Sequence, residues 1–151
     1  MKPSTLLFAA LLLAPAAALP ADTQPVVRTD PVLEQAGKTI AAKDWPQAQA
    51  LLKDAIARNP GNADYHNLYA YSIRKGADPD MNLVFKHYNE ALRLDPRHRG
   101  AHEYLGEAYL MVGNLPKAKE HLSALDKLCF FSCSEFSELK KSISQYEAKP
   151  K

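Results

Sequence analysis

The sequence is poor in the residues from which chemistry is usually assembled. Among its 151 residues are two cysteines, Cys129 and Cys133, with no further ligands beside them to complete a zinc site. Six glycines include no phosphate-cradling loop and no nucleophile elbow. No two carboxylates have a reason to be held together in a cleft. Catalysis therefore has no constellation, and neither a cofactor nor a metal is implied. Charge is nearly balanced, with 19 basic against 17 acidic residues, which gives no reason to invoke nucleic acid or an anionic membrane. No stretch alternates apolar and polar residues in the manner of a strand.

One unbroken apolar run stands at the N-terminus. Lys2 precedes residues 6–13, and Pro15 and the small residues Ala16, Ala17 and Ala18 follow. This is the pattern of a cleaved signal peptide over residues 1–21, with cleavage after Ala18 or Ala21. The run is shorter than the roughly 20 apolar residues that span a bilayer, so no stable membrane insertion is expected after cleavage. The mature chain is expected in the periplasm or outside the cell, where Cys129 and Cys133 could pair. Residues 22–31, with Pro25 and Pro31, read as a flexible lead-in to a domain over 32–148.

The domain repeats itself. Residues 48–55, 84–91 and 118–125 each begin and end on small or apolar residues and carry Leu52, Tyr88 or Leu122 four positions in. Asn59-Pro60 and Asp95-Pro96 end two of these segments alike, because proline lacks an N–H and biases its predecessor out of the helical region. His66 and His102 lie 36 residues apart, as do Ala70 and Gly106, whereas Val84 and Ala118 lie 34 apart. A two-residue insertion is therefore expected between Ile73 and Leu83, with Gly76, Asp78 and Pro79 as its turn residues. A final helix over 133–147 presents Phe136, Leu139, Ile143 and Tyr146 on one face. Ser132 and Glu135 read as its capping box, and Phe131 with Phe136 as a hydrophobic staple.

A 34-residue helix–turn–helix period, with Leu105, Gly106, Tyr109, Gly113 and Ala118 in phase, resembles the tetratricopeptide repeat. The segment from Ala63 keeps Ala70, Ala91 and Pro96 of that pattern; the one from Thr29 keeps Ala36, Ala48, Ala55 and Pro60 but has Gln35 and Thr39 at packing positions. The resemblance, to small exported bacterial proteins of this type, implies an all-α, right-handed solenoid. Three hairpins, at about 29–62, 63–98 and 99–132, would be closed by the capping helix. It also implies a non-catalytic scaffold that binds a protein or peptide on the concave face of the first helices. There Asn67, Tyr71 and Arg74 of the second repeat would meet Glu103, Glu107 and Leu110 of the third, with Tyr104 beside them. Members that clamp a terminal carboxylate carry a fixed Lys, Asn and Arg set, which Glu103 and Glu107 replace. A segment of basic character suits the groove better.

The remaining candidates have plain readings. His66 and His102 are expected as partly buried packing residues, and His87 and His121 as surface residues. Arg97 and Arg99 would repel a divalent cation from His98. Arg93, Arg97, His98 and Arg99 form a basic cluster whose usual meaning is a solvated surface. Cys129 and Cys133 suit a structural disulfide tying the third repeat to its cap. A thiol-redox pair is the alternative, since a thiolate is favoured at a helix start. A structural subunit of an envelope complex, working through the outer face, is the other rival function.

Overall fold

A computed structural model describes residues 30–131 and 133–149, and every regular element among them is an α-helix. The signal-peptide reading falls outside the described residues. The order is α1 (Pro31–Ala41), α2 (Trp45–Arg58), α3 (Ala63–Arg74), α4 (Met81–Leu94), α5 (Arg99–Met111), α6 (Leu115–Leu128) and α7 (Ser134–Glu147).

Each start has a chemical cause. The first N–H groups of a helix lack intrahelical partners, and a short polar side chain just before them accepts one. Asp44, Asn62, Asp80 and Asn114 each take the N–H three residues on, at 3.1–3.2 Å. Asp30 takes Val32 N at 2.8 Å, and its other carboxylate oxygen accepts the Tyr65 hydroxyl at 2.6 Å, tying α1 to α3. Asp30 and Pro31 thus belong to the first helix and not to the lead-in. The ends repeat as well: Asn59 and Asp95 leave the helical region, and their N–H groups close on Ala55 O and Ala91 O.

The turns confirm the change of register. Residues 42–44 and 112–114 join the first and third hairpins, whereas residues 75–80 join the second. α3 begins 36 residues before α5, but α4 begins only 34 before α6. Both short turns pass through the left-handed region, at Gly113 (φ 77°) and at Lys43 (φ 57°).

The hairpins stack with their small residues at the contacts. Ala36, Ala48, Ala70, Ala91, Ala101 and Ala118 are wholly buried beside Leu52, Tyr88, Leu105 and Leu125. Thr39, at an aromatic's place, keeps its hydroxyl satisfied on Ala36 O at 2.9 Å. α7 packs on α5 and α6, and Leu139 and Ile143 are buried there. A Cβ at Gly106 would stand 2.6 Å from Leu139 Cδ2, so the glycine is what lets α7 seat. Lys119 of α6 pairs with Glu147 at its far end, at 2.7 Å.

Two expectations for α7 need correction. The helix starts at Ser134 with Cys133 as N-cap and no side-chain capping bond; Ser132 lies outside the described residues. Phe131 is 84% exposed and makes no staple with Phe136. Among the described residues no helix is long and apolar enough to cross a membrane.

Candidate functional site

The inner helices α1, α3, α5 and α7 pack side by side in that order, and the predicted groove residues lie on α3 and α5. Their surroundings separate them into three kinds.

Arg74 is a buried tie. Only 8% of it is exposed; Nη2 donates to Glu107 Oε2 at 2.8 Å, and Nε to the Tyr88 hydroxyl at 3.3 Å. Its guanidinium lies 5.5 and 5.7 Å from the Tyr71 and Tyr104 ring centres. Glu107 accepts the Ser142 hydroxyl of α7 on its other oxygen, at 3.1 Å. Arg74 and Glu107, expected to meet a partner, also join α3, α5 and α7 to one another. A cation left without its carboxylate in such a place is costly, so the pair is structural first. Asn67 is only 4% exposed, and its Oδ1 has no hydrogen-bond partner among the described residues. Leu110 packs partly buried against the α6–α7 core. Asn67 offers a partner little surface, whereas Leu110 keeps part of its own.

Glu103, Tyr71 and Tyr104 remain open. The two tyrosine rings lie 4.7 Å apart, and Trp45 meets Tyr71 edge-on at 6.2 Å. Glu103 is half-buried, with no hydrogen bond or ion pair among the described residues. Burial, then the carboxylates of Glu107, Glu135 and Glu138, push its pKa up to about 7. Those neighbours have cations of their own: Arg74 for Glu107, Arg99 at 3.7 Å for Glu135, and Lys141 at 3.7 Å for Glu138. Arg74 also attracts Glu103, but Glu103 makes no ion pair of its own among the described residues. Burial, and next Glu103, hold the neighbouring Tyr104 hydroxyl at about 12.

The histidines are the feature that sequence reasoning placed least well. His87 and His121, expected at the surface, are half-buried and each faces a second histidine. His66 Nδ1 lies 2.8 Å from His87 Nδ1, and His102 Nδ1 lies 3.0 Å from His121 Nδ1. The first member of each pair also meets a loop carbonyl: Nε2 lies 3.0 Å from Pro60 O for His66 and 3.1 Å from Pro96 O for His102. A carbonyl only accepts, so Nε2 carries the proton; in a neutral ring Nδ1 is then the acceptor, and the partner's Nδ1–H donates. Burial, then the nearby imidazole, lowers His87 and His121 to about 4. The same pair thus clamps both hairpins to the loops that precede them. His98 bridges hairpins differently: it caps α5 through Nδ1 and reaches Asp64 through Nε2 at 3.1 Å.

Cys129 and Cys133 are joined as a disulfide between α6 and α7, and Phe130 between them is 95% exposed.

A sequence model of the tetratricopeptide repeat matches residues 40–79 and 86–128, more than half of the chain. The TPR repeat-containing thioredoxin TTL4 of Arabidopsis thaliana is 31% identical over 91 residues, 60% of this chain and 13% of that protein. The chain therefore spans about an eighth of that relative's length. Among solved structures, the TPR2B domain of yeast Sti1 in complex with pHsp70 superposes with a TM-score of 0.66 at 22% identity, covering 76% of this chain and 94% of that one. The second TPR domain of human RPAP3, in complex with the Hsp70 peptide SGPTIEEVD, gives 0.66 at 18% identity over 78% and 93%. At these identities the likeness establishes the shared fold, an all-α solenoid of helical hairpins.

Proposed function

Because the chain belongs to the tetratricopeptide repeat family, we propose that it is a non-catalytic adaptor holding a protein segment of basic character across α3, α5 and α7. The observation that carries this reading is Glu103. A half-buried carboxylate among other carboxylates is unfavourable unless a cation arrives, and a partner's lysine or arginine would supply it. Tyr71 and Tyr104 beside it give an aromatic floor of the kind on which binding energy concentrates. The peptide held by RPAP3 bears acidic side chains and would meet like charge here.

Export into the periplasm or beyond is part of the proposal and rests on Lys2 and the apolar run of residues 6–13. Cys129–Cys133 is then a clasp between α6 and α7, formed in an oxidising compartment.

The test is co-purification from the compartment that holds the mature protein. Glu103→Gln and Glu103→Lys are compared with the control pair Lys53→Glu and Lys86→Glu, both exposed and away from α3, α5 and α7. Glu103→Lys should lose the partner, and Glu103→Gln should weaken it about tenfold, a desolvated charge contact being worth more than one at a rim. Loss of the partner in the control alone would move the working surface to the outer helices and favour a structural subunit.

A further inference from the structure

The two extra residues of the α3–α4 turn do more than lengthen it. Residues of the 75–80 turn line, with α2, α3 and the start of α4, a half-open cavity of about 440 Å³, in the one hairpin that has the longer turn. Trp45, Tyr69, Ile73 and Leu83 give it aromatic and aliphatic walls, and Asp78 and Asp80 line it as well. No lysine or arginine lines it. Asp80 spends one oxygen on capping α4, at 3.1 Å from Leu83 N. Asp78 is exposed and makes no hydrogen bond or ion pair among the described residues.

We propose that this cavity is a second binding site, one that takes an arginine or lysine side chain carried next to an apolar residue in a partner's segment. The chemistry is complementary on both counts. An aliphatic stem with a cationic head buries its methylenes on apolar wall and keeps its charge at the polar edge. Aromatic rings attract such a head, Trp most strongly, and two carboxylates without cations add to that attraction. The site is separate from Glu103 and does not need the inner-face reading to hold, although Trp45 touches Tyr71 at the edge of that face.

Trp45 is the sole tryptophan, so its emission and its indole N–H resonance report on this cavity. The probe is acetyl-Leu-Arg-amide, and the comparison is acetyl-Leu-citrulline-amide, which has the same shape without the charge. The full mature protein should show a saturable change with the arginine peptide, at least fivefold weaker with citrulline. Asp78→Asn combined with Asp80→Asn should weaken the arginine peptide by a similar factor, and asparagine keeps the α4 cap. In the Glu103→Gln background, which removes the inner-face carboxylate, the preference for arginine over citrulline should persist. Equal binding of the citrulline peptide, an unmoved indole resonance, or an undiminished response in the Asp78/Asp80 variant would overturn the proposal. So would loss of the response in Glu103→Gln, since the peptide would then lie on the inner face. A spectral change on protein dilution alone would give the cavity to a second copy of the chain and overturn it too.

Discussion

The second and third hairpins each carry a histidine pair on the carbonyl of the proline before them, yet their inner faces have different chemistry. Where α3 has Asn67, Tyr71 and Arg74, α5 has Glu103, Glu107 and Leu110. The shared residues all answer to partners within the hairpin or its entry loop: His66 to His87 and Pro60, His102 to His121 and Pro96. Changing one would strand the other. The differing residues answer to whatever lies across the face, and each repeat has its own neighbour there. For α3 that neighbour is α5; for α5 it is α7. The comparison teaches that what recurs is scaffold and that the divergent positions include both the tie, Arg74–Glu107, and the open carboxylate, Glu103.

The sharpest way to break the comparison is to change each of the two glutamates. Glu107→Lys would set a cation against buried Arg74 and should cost roughly 3 kcal/mol in urea unfolding. Glu103→Gln removes a repelled carboxylate and should leave stability unchanged or raised. If Glu107→Lys melts like the wild type, Arg74 is not held as described.

Gly106 and Ala70 hold the same repeat position, but only Gly106 faces Leu139. Gly106→Leu should therefore cost about 1–3 kcal/mol by overpacking, read as a lowered thermal midpoint with α7 amides exchanging first. Intact α7 protection would mean that Leu139 can move aside.

Acid should act on the two regions with opposite sign. His87 and His121 have folded values of about 4 against a reference of 6.5, so the unfolded chain takes up protons first as pH falls, and stability is lost between about 6.5 and 4. Glu103, raised from 4.5 to about 7, binds its proton first in the folded state, which adds stability as pH falls from about 7 to 4.5. His102 is lowered too, mainly by burial, so three imidazoles oppose one carboxyl and the melting temperature should fall from pH 7 to pH 5. Glu103→Gln should steepen the fall and His121→Asn should flatten it; a profile unchanged in both variants would contradict the assignment.

The smallest effect concerns the turns of the first and third hairpins. Gly113 adopts positive φ freely, whereas Lys43 does so against its Cβ. Lys43→Gly should gain up to about 1 kcal/mol after the added unfolded-state entropy, measured by chemical denaturation. No gain would mean that Lys43 is held by more than its backbone.

The repeat skeleton was legible because it is written in local code. Prolines 60 and 96, the small residues, and the 36-against-34 spacing each state a backbone requirement that neighbours in sequence can meet. The register change and the helix content followed from these. The site was less legible because its determinants are contacts across 19 to 35 residues. Arg74 and Glu107 read as groove residues by position, but nothing in their spacing says that they bond each other. His87 and His121 recur once per repeat, which was visible; that each faces a histidine from the preceding helix was not. Asp30 looked like part of a linker because its role depends on Tyr65, far along the chain.

α7 closes the apolar core through Leu139 and Ile143 and at the same time brings Glu135, Glu138 and Ser142 to the inner face. Occupancy of the groove and fraying of the last helix are therefore one thermodynamic cycle. A segment that binds only when α7 is docked must slow the hydrogen exchange of α7 amides by a factor of 1 + [L]/Kd, even at amides it never touches. By reciprocity, anything that frees α7 would weaken the hold on such a segment.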